Sequence, residues 1–456
     1  MNEEGLFSEF PEVSAKAWKQ KIQYGLRGAD YNETLVWESP EGIKIKPFYH
    51  AEDMEGQPKY SCPLPRHWTI AQEIYAGNAI LANKKAQTAL KNGTESLVFK
   101  IPSDDISLET LLSGIDIGRV PLFFDLQFLS TSYVRKVFNF LKGTPHKLRF
   151  QTDIIGHLAR TGNWFYNLKE DHRIVGKILS EIDFPSLSVD ATRYQNAGAN
   201  MVQQLAYSLA HANEYLNYFE AKSLQPILFK VAVGSNYFFE IAKLRALRLL
   251  WGTLASEYGI SSDCHIIAQP TKRNKTLYDY NTNMLRTTTE CLSAILGGAD
   301  TVLNLPYDAV YHKDNKFAER MARNQLLILK NESYFDRGAD PAAGSYYIET
   351  LTRQLAEKGL ELFKSIETGG GFLTQLKNHT LQKKIKESAQ REQQRFSAGQ
   401  EVLVGTNKYQ NTNDRMKDEL ELYPFVKTNA RKTLVEPIIE RRMAENLEKE
   451  RLDKEG

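Results

Sequence analysis

Residues 226–254, PILFKVAVGSNYFFEIAKLRALRLLWGTL, decide the fold. The run PILFKVAV is apolar except for Lys230 and has the length of one strand. Beyond it Ile241, Leu244, Leu247, Trp251 and Leu254 fall on one face at helical spacing, with Glu240, Lys243 and Arg248 off it, which predicts a helix with one buried side. The same alternation extends outward in both directions. Short apolar runs stand at SLVFKI (96–101), VPLFFDLQF (120–128), KLRFQTD (147–153), SLSVDA (186–191), CHIIAQP (264–270) and TVLNLP (301–306), with longer helix-like stretches between them. Strand and helix in regular order imply parallel pairing, and seven or eight such units in about 250 residues fit a (β/α)8 TIM-type barrel better than an open doubly wound sheet. The eighth strand is not assigned: the region around 101–106 is too short, and SYYIE (345–349) follows a long helical segment.

Around this barrel, placed at 66–350, two flanking regions differ in composition. Residues 1–65 are rich in Pro, Gly, Glu and Tyr without helical period and read as an extended arm suited to wrapping a partner. Residues 351–456 read as a charged helical extension with solvated faces. The chain holds 42% hydrophobic and 25% charged residues, enough to bury a large core, and its net charge of +2 supplies no general attraction to nucleic acid or anionic lipid. Three scattered cysteines, an acidic N-terminus without an apolar core segment, and the lack of any run of about 18 apolar residues lead us to expect a cytoplasmic protein outside the membrane.

No phosphate loop, H-E-x-x-H or G-x-S-x-G elbow is present, the glycines at 297–298 and 369–371 read as helix ends, and the histidines form no ligand pair, so no metal site is expected. His265, at a strand start, reads as a satisfied core residue. Charges inside the apolar runs carry more information, because each must find a counter-charge or shift its pKa. Lys100, Asp125, Arg149, Asp190 and Lys230 are such charges. A desolvated Lys230 would suit a Schiff-base lyase. A structural ion pair with Asp125 or Asp190 is the preferred reading.

Five stretches, VGSNYFFEIAKLRALRLLW (233–251), DYNTNMLRTTTECLSAILGGAD (279–300), ERMARNQLLIL (319–329), ADPAAGSYYIE (339–349) and SAGQEVLVGTNKYQ (397–410), resemble in order and spacing the barrel of the coenzyme-B12-dependent methylmalonyl-CoA mutases. The resemblance runs from about Trp68 to Gln410. It implies a barrel whose active form interconverts (R)-methylmalonyl-CoA and succinyl-CoA by adenosyl radical chemistry. The family's active-site residues do not carry over. Its Tyr, in T-I-R-Q-Y-A-G, falls on Glu73; its His, in G-Y-H-x-Q-E-A-G, falls on Arg193; the Gln of T-I-Q-N-D is retained as Gln151, and the Arg ten residues beyond becomes Thr161, beside Arg160. The cobalt-ligating D-x-H-x-x-G is absent, His172 giving the nearest context, and no cobalamin-binding domain is expected after the barrel. Together these imply similarity to the small, non-catalytic chain of the heterodimeric mutases: no cofactor of its own, adenosylcobalamin in a large-subunit partner, and a homodimer as a possible form in isolation. The apolar strands are expected to fill the barrel against a pantetheine arm, and Glu73 and Arg193 to pair across the vestigial pocket. A stand-alone lyase using Lys230 and a homodimeric acyl-CoA-binding protein are the alternatives.

Overall fold

The computed structural model describes residues 9–56, 64–144, 147–182, 187–219, 226–427 and 430–455. Eight parallel strands form its centre: β3 (Thr69–Tyr75), β4 (Ser96–Ile101), β5 (Leu122–Leu126), β6 (Leu148–Phe150), β7 (Ser188–Asp190), β8 (Ile227–Val233), β9 (Cys264–Pro270) and β10 (Thr301–Leu303). They hydrogen-bond in the order β6-β5-β4-β3-β10-β9-β8-β7. A parallel bridge from Thr152 to Leu187, with the Ser188 N–H donating to the Thr152 carbonyl at 3.0 Å, brings β6 against β7 and closes the barrel. The strand without a sequence assignment is the first, TIAQEIY, and it carries Glu73.

Preceding the barrel are helices α1 (Ala15–Gly25) and α2 (Tyr31–Leu35) and the hairpin β1 (Trp37–Glu38) and β2 (Lys44–Ile45). This region is therefore not uniformly extended. Local caps account for the difference: the Ser14 hydroxyl accepts from the Ala17 N–H, and the Asp30 carboxylate from the N–H groups of Asn32 and Glu33. The end of the expected arm falls partly on residues 57–63, outside the described residues.

The barrel is wrapped by α3 (Ala79–Lys91), α4 (Leu108–Leu111), α5 (Thr131–Leu141), α6 (Ile154–Thr161), α7 (Leu168–Glu181), α8 (Thr192–Asn196), α9 (Met201–Tyr218), α10 (Tyr237–Glu257), α11 (Thr282–Leu296) and α12 (Lys316–Leu327). The helix predicted from 237–254 is α10, and Ile241, Leu244, Leu247 and Trp251 are buried, but it is not buried on one side only: Glu240 and Lys243, expected off that face, are buried too, as an ion pair at 2.5 Å. SYYIE opens α13 (Tyr346–Thr368), with the Ser345 hydroxyl capping Ile348. After α14 (Gly371–Lys377), the charged run forms α15 (Thr380–Ser397), which buries Leu381, Ile385 and Phe396 and so is amphipathic rather than wholly solvated.

The expected helical extension is interrupted between α15 and α16 (Glu445–Asp453), where the described chain has no helix and residues 430–443 lie as a strap along one side of the barrel's C-terminal end. The strap is held by backbone bonds: Val435 N–H to Gly162 O, Ile438 N–H to Ala159 O, Arg441 N–H to Asn196 O and Met443 N–H to Arg273 O. Gly162, at φ 77°, makes room for it, since a Cβ there would lie 2.6 Å from the Val435 carbonyl oxygen.

Strands such as β4 and β8 are buried on both faces, so their apolar residues divide between two cores. Leu97, Phe99, Phe124 and Phe150 face the helices, with the three phenylalanines in edge-to-face contact at 5.9 and 5.8 Å. Inside, Ala71, Val98, Phe123, Leu228, Ile267 and Leu303 meet across the axis. One layer toward the strand C-termini the inward residues become polar. The barrel is filled at its middle and open at its mouth.

Candidate functional site

The C-terminal ends of the strands surround a cavity of about 600 Å³. Its floor is made by the inward residues that follow the apolar layer: Glu73 on β3, Lys100 on β4, Asp125 on β5, Asp190 on β7 and Lys230 on β8. Residues two apart on a strand share a face, so Val98 and Lys100, Phe123 and Asp125, and Leu228 and Lys230 all point inward. This is the end at which TIM barrels carry their sites.

Lys230 is 7% exposed, and its Nζ donates to Glu73 Oε2 at 3.3 Å. The other Glu73 oxygen lies 3.8 Å from Lys100 Nζ, which is in turn 4.0 Å from Asp125 Oδ2. The expected partner of Lys230 was Asp125 or Asp190; neither forms an ion pair with it, although both act on it at longer range. The reason is the unassigned strand, which puts an acid across the axis.

Burial alone would raise the Glu73 pKa, but Lys230, Lys100 and Lys272 overcome it and hold the carboxyl at about 2. Burial would likewise lower that of Lys230, yet Glu73, Asp190 and Asp125 carry it above the ordinary range. A Schiff-base lysine needs the opposite shift. The environment of Lys230 thus opposes the lyase alternative.

Arg193, in α8, is bound to Asp190 and not to Glu73: its Nε and Nη2 lie 3.1 and 3.0 Å from Asp190 Oδ2. The short turn after β7 places them three residues apart, so this local pair forms in place of the predicted cross-pocket one. Asp190 also accepts from the Thr192 hydroxyl at 2.5 Å. Behind it the Asp190 N–H donates to Asp153, whose carboxylate also accepts from Tyr215 Oη at 2.8 Å and meets His211 Nε2 at 2.9 Å. Burial opposes the Asp153 charge, but His211 and Arg193 hold its pKa low. Asp153, Tyr215 and His211 form a buried support for the β6 and β7 ends, outside the lining of the main cavity.

Gln151 is 9% exposed and lines a small alcove that shares Asp125, Asp190, Arg193 and Lys230 with the main cavity. Thr161 does not line the mouth. Its hydroxyl donates to the His157 and Asn163 carbonyls at the end of α6, while the adjacent Arg160 reaches the cavity and donates to Gln127. Sequence reasoning missed Arg160, Lys272 and Arg323 as lining cations; Arg160 was signalled only by its adjacency to Thr161. Asp125 accepts from Gln127 Nε2 at 2.7 Å, and burial raises its pKa despite Lys230 and Lys100.

No tyrosine, histidine or cysteine is among the described residues lining the main cavity. His157, in the alcove, is kept neutral by burial and by Arg160, with a pKa of about 4. Among the described residues no group of three or more His, Cys, Asp or Glu is placed to hold a metal ion, and no helix is long and apolar enough to cross a membrane. His172 does not fit a cobalt ligand: it is buried in α7, its Nδ1 meets the Leu168 carbonyl at 2.7 Å, and its ring packs on Trp164 and Tyr218. His265 is a satisfied core residue, with Nε2 3.0 Å from Thr301 Oγ1 and its ring beside Phe123.

Comparison with known proteins places these residues in context. The family model described as Methylmalonyl-CoA mutase matches residues 104–453. The methylmalonyl-CoA mutase small subunit of Porphyromonas gingivalis is 35% identical over 457 residues, covering 92% of this chain and 73% of that protein. The small subunit from Streptomyces virginiae is 30% identical, over 89% of this chain and 71% of its own length. The methylmalonyl-CoA mutase of Rhizobium meliloti is 29% identical, with 90% of this chain and 66% of that protein covered.

Proposed function

This chain belongs to the methylmalonyl-CoA mutase family, and from that membership we propose that it is a non-catalytic small subunit, paired with a larger chain that carries adenosylcobalamin and interconverts (R)-methylmalonyl-CoA and succinyl-CoA. The observation that carries this reading is how the two replaced positions are used. Glu73, where the resemblance implies a Tyr, is an ionised carboxylate tied to Lys230 and Lys100. Arg193, where it implies a His, is a guanidinium tied to Asp190. A carboxylate at a pKa of about 2 has no phenol proton to donate, and a guanidinium accepts no hydrogen bond.

In this reading the barrel contributes an interface and supports the large subunit. The unlike chains named small and large subunit in Streptomyces virginiae support a two-chain arrangement. Cytoplasmic placement, the arm over 1–65, the barrel over 66–350 and the extension over 351–456 belong to the same proposal. The test is co-purification from native cells. An equimolar, red-coloured complex with a larger cobalamin-bearing chain is expected, whereas recovery of this chain only alone or as a homodimer contradicts the subunit role.

A further inference from the structure

The strap over 430–443 brings a residue from outside the barrel into the lining of its mouth. The Ile438 N–H donates to Ala159 O at 2.7 Å and the Arg441 N–H to Asn196 O at 3.0 Å, so residues 439 and 440 span the gap between α6 and α8. These helices carry the guanidinium groups of the mouth, Arg160 directly after Ala159 and Arg193 three residues before Asn196. Side chains fix the strap on either side of the span: Gln382 Nε2 donates to Glu436 O at 2.9 Å and Arg273 Nη1 to Arg441 O at 2.7 Å. Glu440, in the span, lines the cavity. A carboxylate tethered in this way reaches the mouth without the translational entropy that a free anion loses on binding.

Among the described residues the cavity lining holds six acids and six cations, so its formal charges balance. Five of the acids are in contact with a cation: Glu73 with Lys230, Asp125 with Lys100, Asp190 with Arg193, and Asp314 and Glu319 with Lys85. The sixth is Glu440, which is exposed and has no cation in contact among the described residues. Three lining cations, Arg160, Lys272 and Arg323, likewise have no carboxylate in contact, Arg160 and Arg323 donating to Gln127 and Gln72 instead. The unpaired acid therefore faces a wall with three unpaired cations. Its field is felt there: burial, the largest influence on Arg160 and Arg193, opposes both charges, and Glu440 is among the acids that favour them. Charges couple in this way over about 8 to 10 Å in physiological salt. We propose that the strap is an autoinhibitory element, with Glu440 serving as the mouth's own counter-anion and weakening the entry of anionic groups such as phosphates. The device lies within one chain and does not depend on the subunit reading.

The test titrates sodium pyrophosphate calorimetrically into the full chain and its variants at constant ionic strength. Glu440→Gln should bind the probe at least about five-fold more tightly than the unchanged chain, the effect of one unit charge at roughly 8 Å and an effective dielectric of about 40. The substitution removes no hydrogen bond or contact ion pair, so an unchanged melting temperature is expected and reports that the strap is still in place. Glu436→Gln is the control for overall charge: it deletes an acid from the same strap, but one that pairs with Lys386 and does not line the cavity, so it should leave the affinity where it was. Combining Glu440→Gln with Arg160→Gln should abolish the gain, which locates it at the mouth. No tighter binding in Glu440→Gln overturns the proposal, as does an equal gain in Glu436→Gln or a gain that survives the loss of Arg160. None of these outcomes bears on co-purification with the larger chain, which tests the subunit reading separately.

Discussion

Replacing Lys230 by Met keeps an unbranched apolar stem one atom shorter than lysine and deletes the charge that crosses the barrel mouth. At 3.3 Å and an effective dielectric of about 20, the Lys230–Glu73 attraction is of the order of 5 kcal/mol. Three features reduce its net worth: the Glu73 side chain is 35% exposed and screened by solvent, Lys100 remains 3.8 Å away to compensate it, and Lys230 no longer has to be desolvated. A loss of about 2 to 3 kcal/mol is expected for Lys230→Met, and about 1 kcal/mol for Glu73→Gln, which leaves Lys230 facing Asp125 and Asp190. If the pair is the source of these costs, the double variant should lose less than the sum of the single ones by about 2 kcal/mol. Urea unfolding of the four proteins, followed by tryptophan fluorescence and circular dichroism to confirm coincident transitions, measures the cycle. Additivity within about 0.5 kcal/mol would refute the pairing, because contacts that do not interact add.

Asp125→Asn should leave stability at neutral pH unchanged or raise it by up to about 1 kcal/mol, since the raised pKa shows that burial resists the carboxylate and an amide oxygen can still accept from Gln127; urea midpoints at pH 7 decide this. His265, with its pKa lowered to about 4 by burial, stays neutral in the folded state while the unfolded chain takes up a proton near pH 6.5, so its contribution is complete above pH 6.5 and is lost as the pH falls toward 4. His265→Gln should flatten the stability profile across that window, a difference of up to about 3 kcal/mol that unfolding at pH 7, 5.5 and 4 measures. Gly162→Ala should cost about 2 kcal/mol or more and raise protease sensitivity within 430–443, because a positive φ and a clash with the Val435 carbonyl act together; limited proteolysis with mass mapping checks it.

Seven strands could be read from sequence because a parallel strand covered on both faces becomes an apolar run, as in ILFKVAV. The eighth could not, for a reason tied to the site: Gln72 and Glu73 interrupt TIAQEIY where the chain turns its polar residue into the mouth. Losing that strand also hid the partner of Lys230. The charges themselves were visible as Lys100, Asp125, Asp190 and Lys230, but which meet depends on stagger around the barrel, and stagger is a property of the closed sheet. Arg193 shows the converse error, since a partner three residues away was passed over for one 120 residues distant. The apolar composition of the strands was likewise silent on how the two faces divide, so a filled middle and an open mouth could not be told apart beforehand.

On the proposed reading, this barrel keeps the family's architecture without its chemistry. Isomerisation of (R)-methylmalonyl-CoA to succinyl-CoA by the purified chain alone, with adenosylcobalamin added in excess, tests it most directly. A rate indistinguishable from the protein-free blank is expected. Turnover that scales with the concentration of this chain would contradict it.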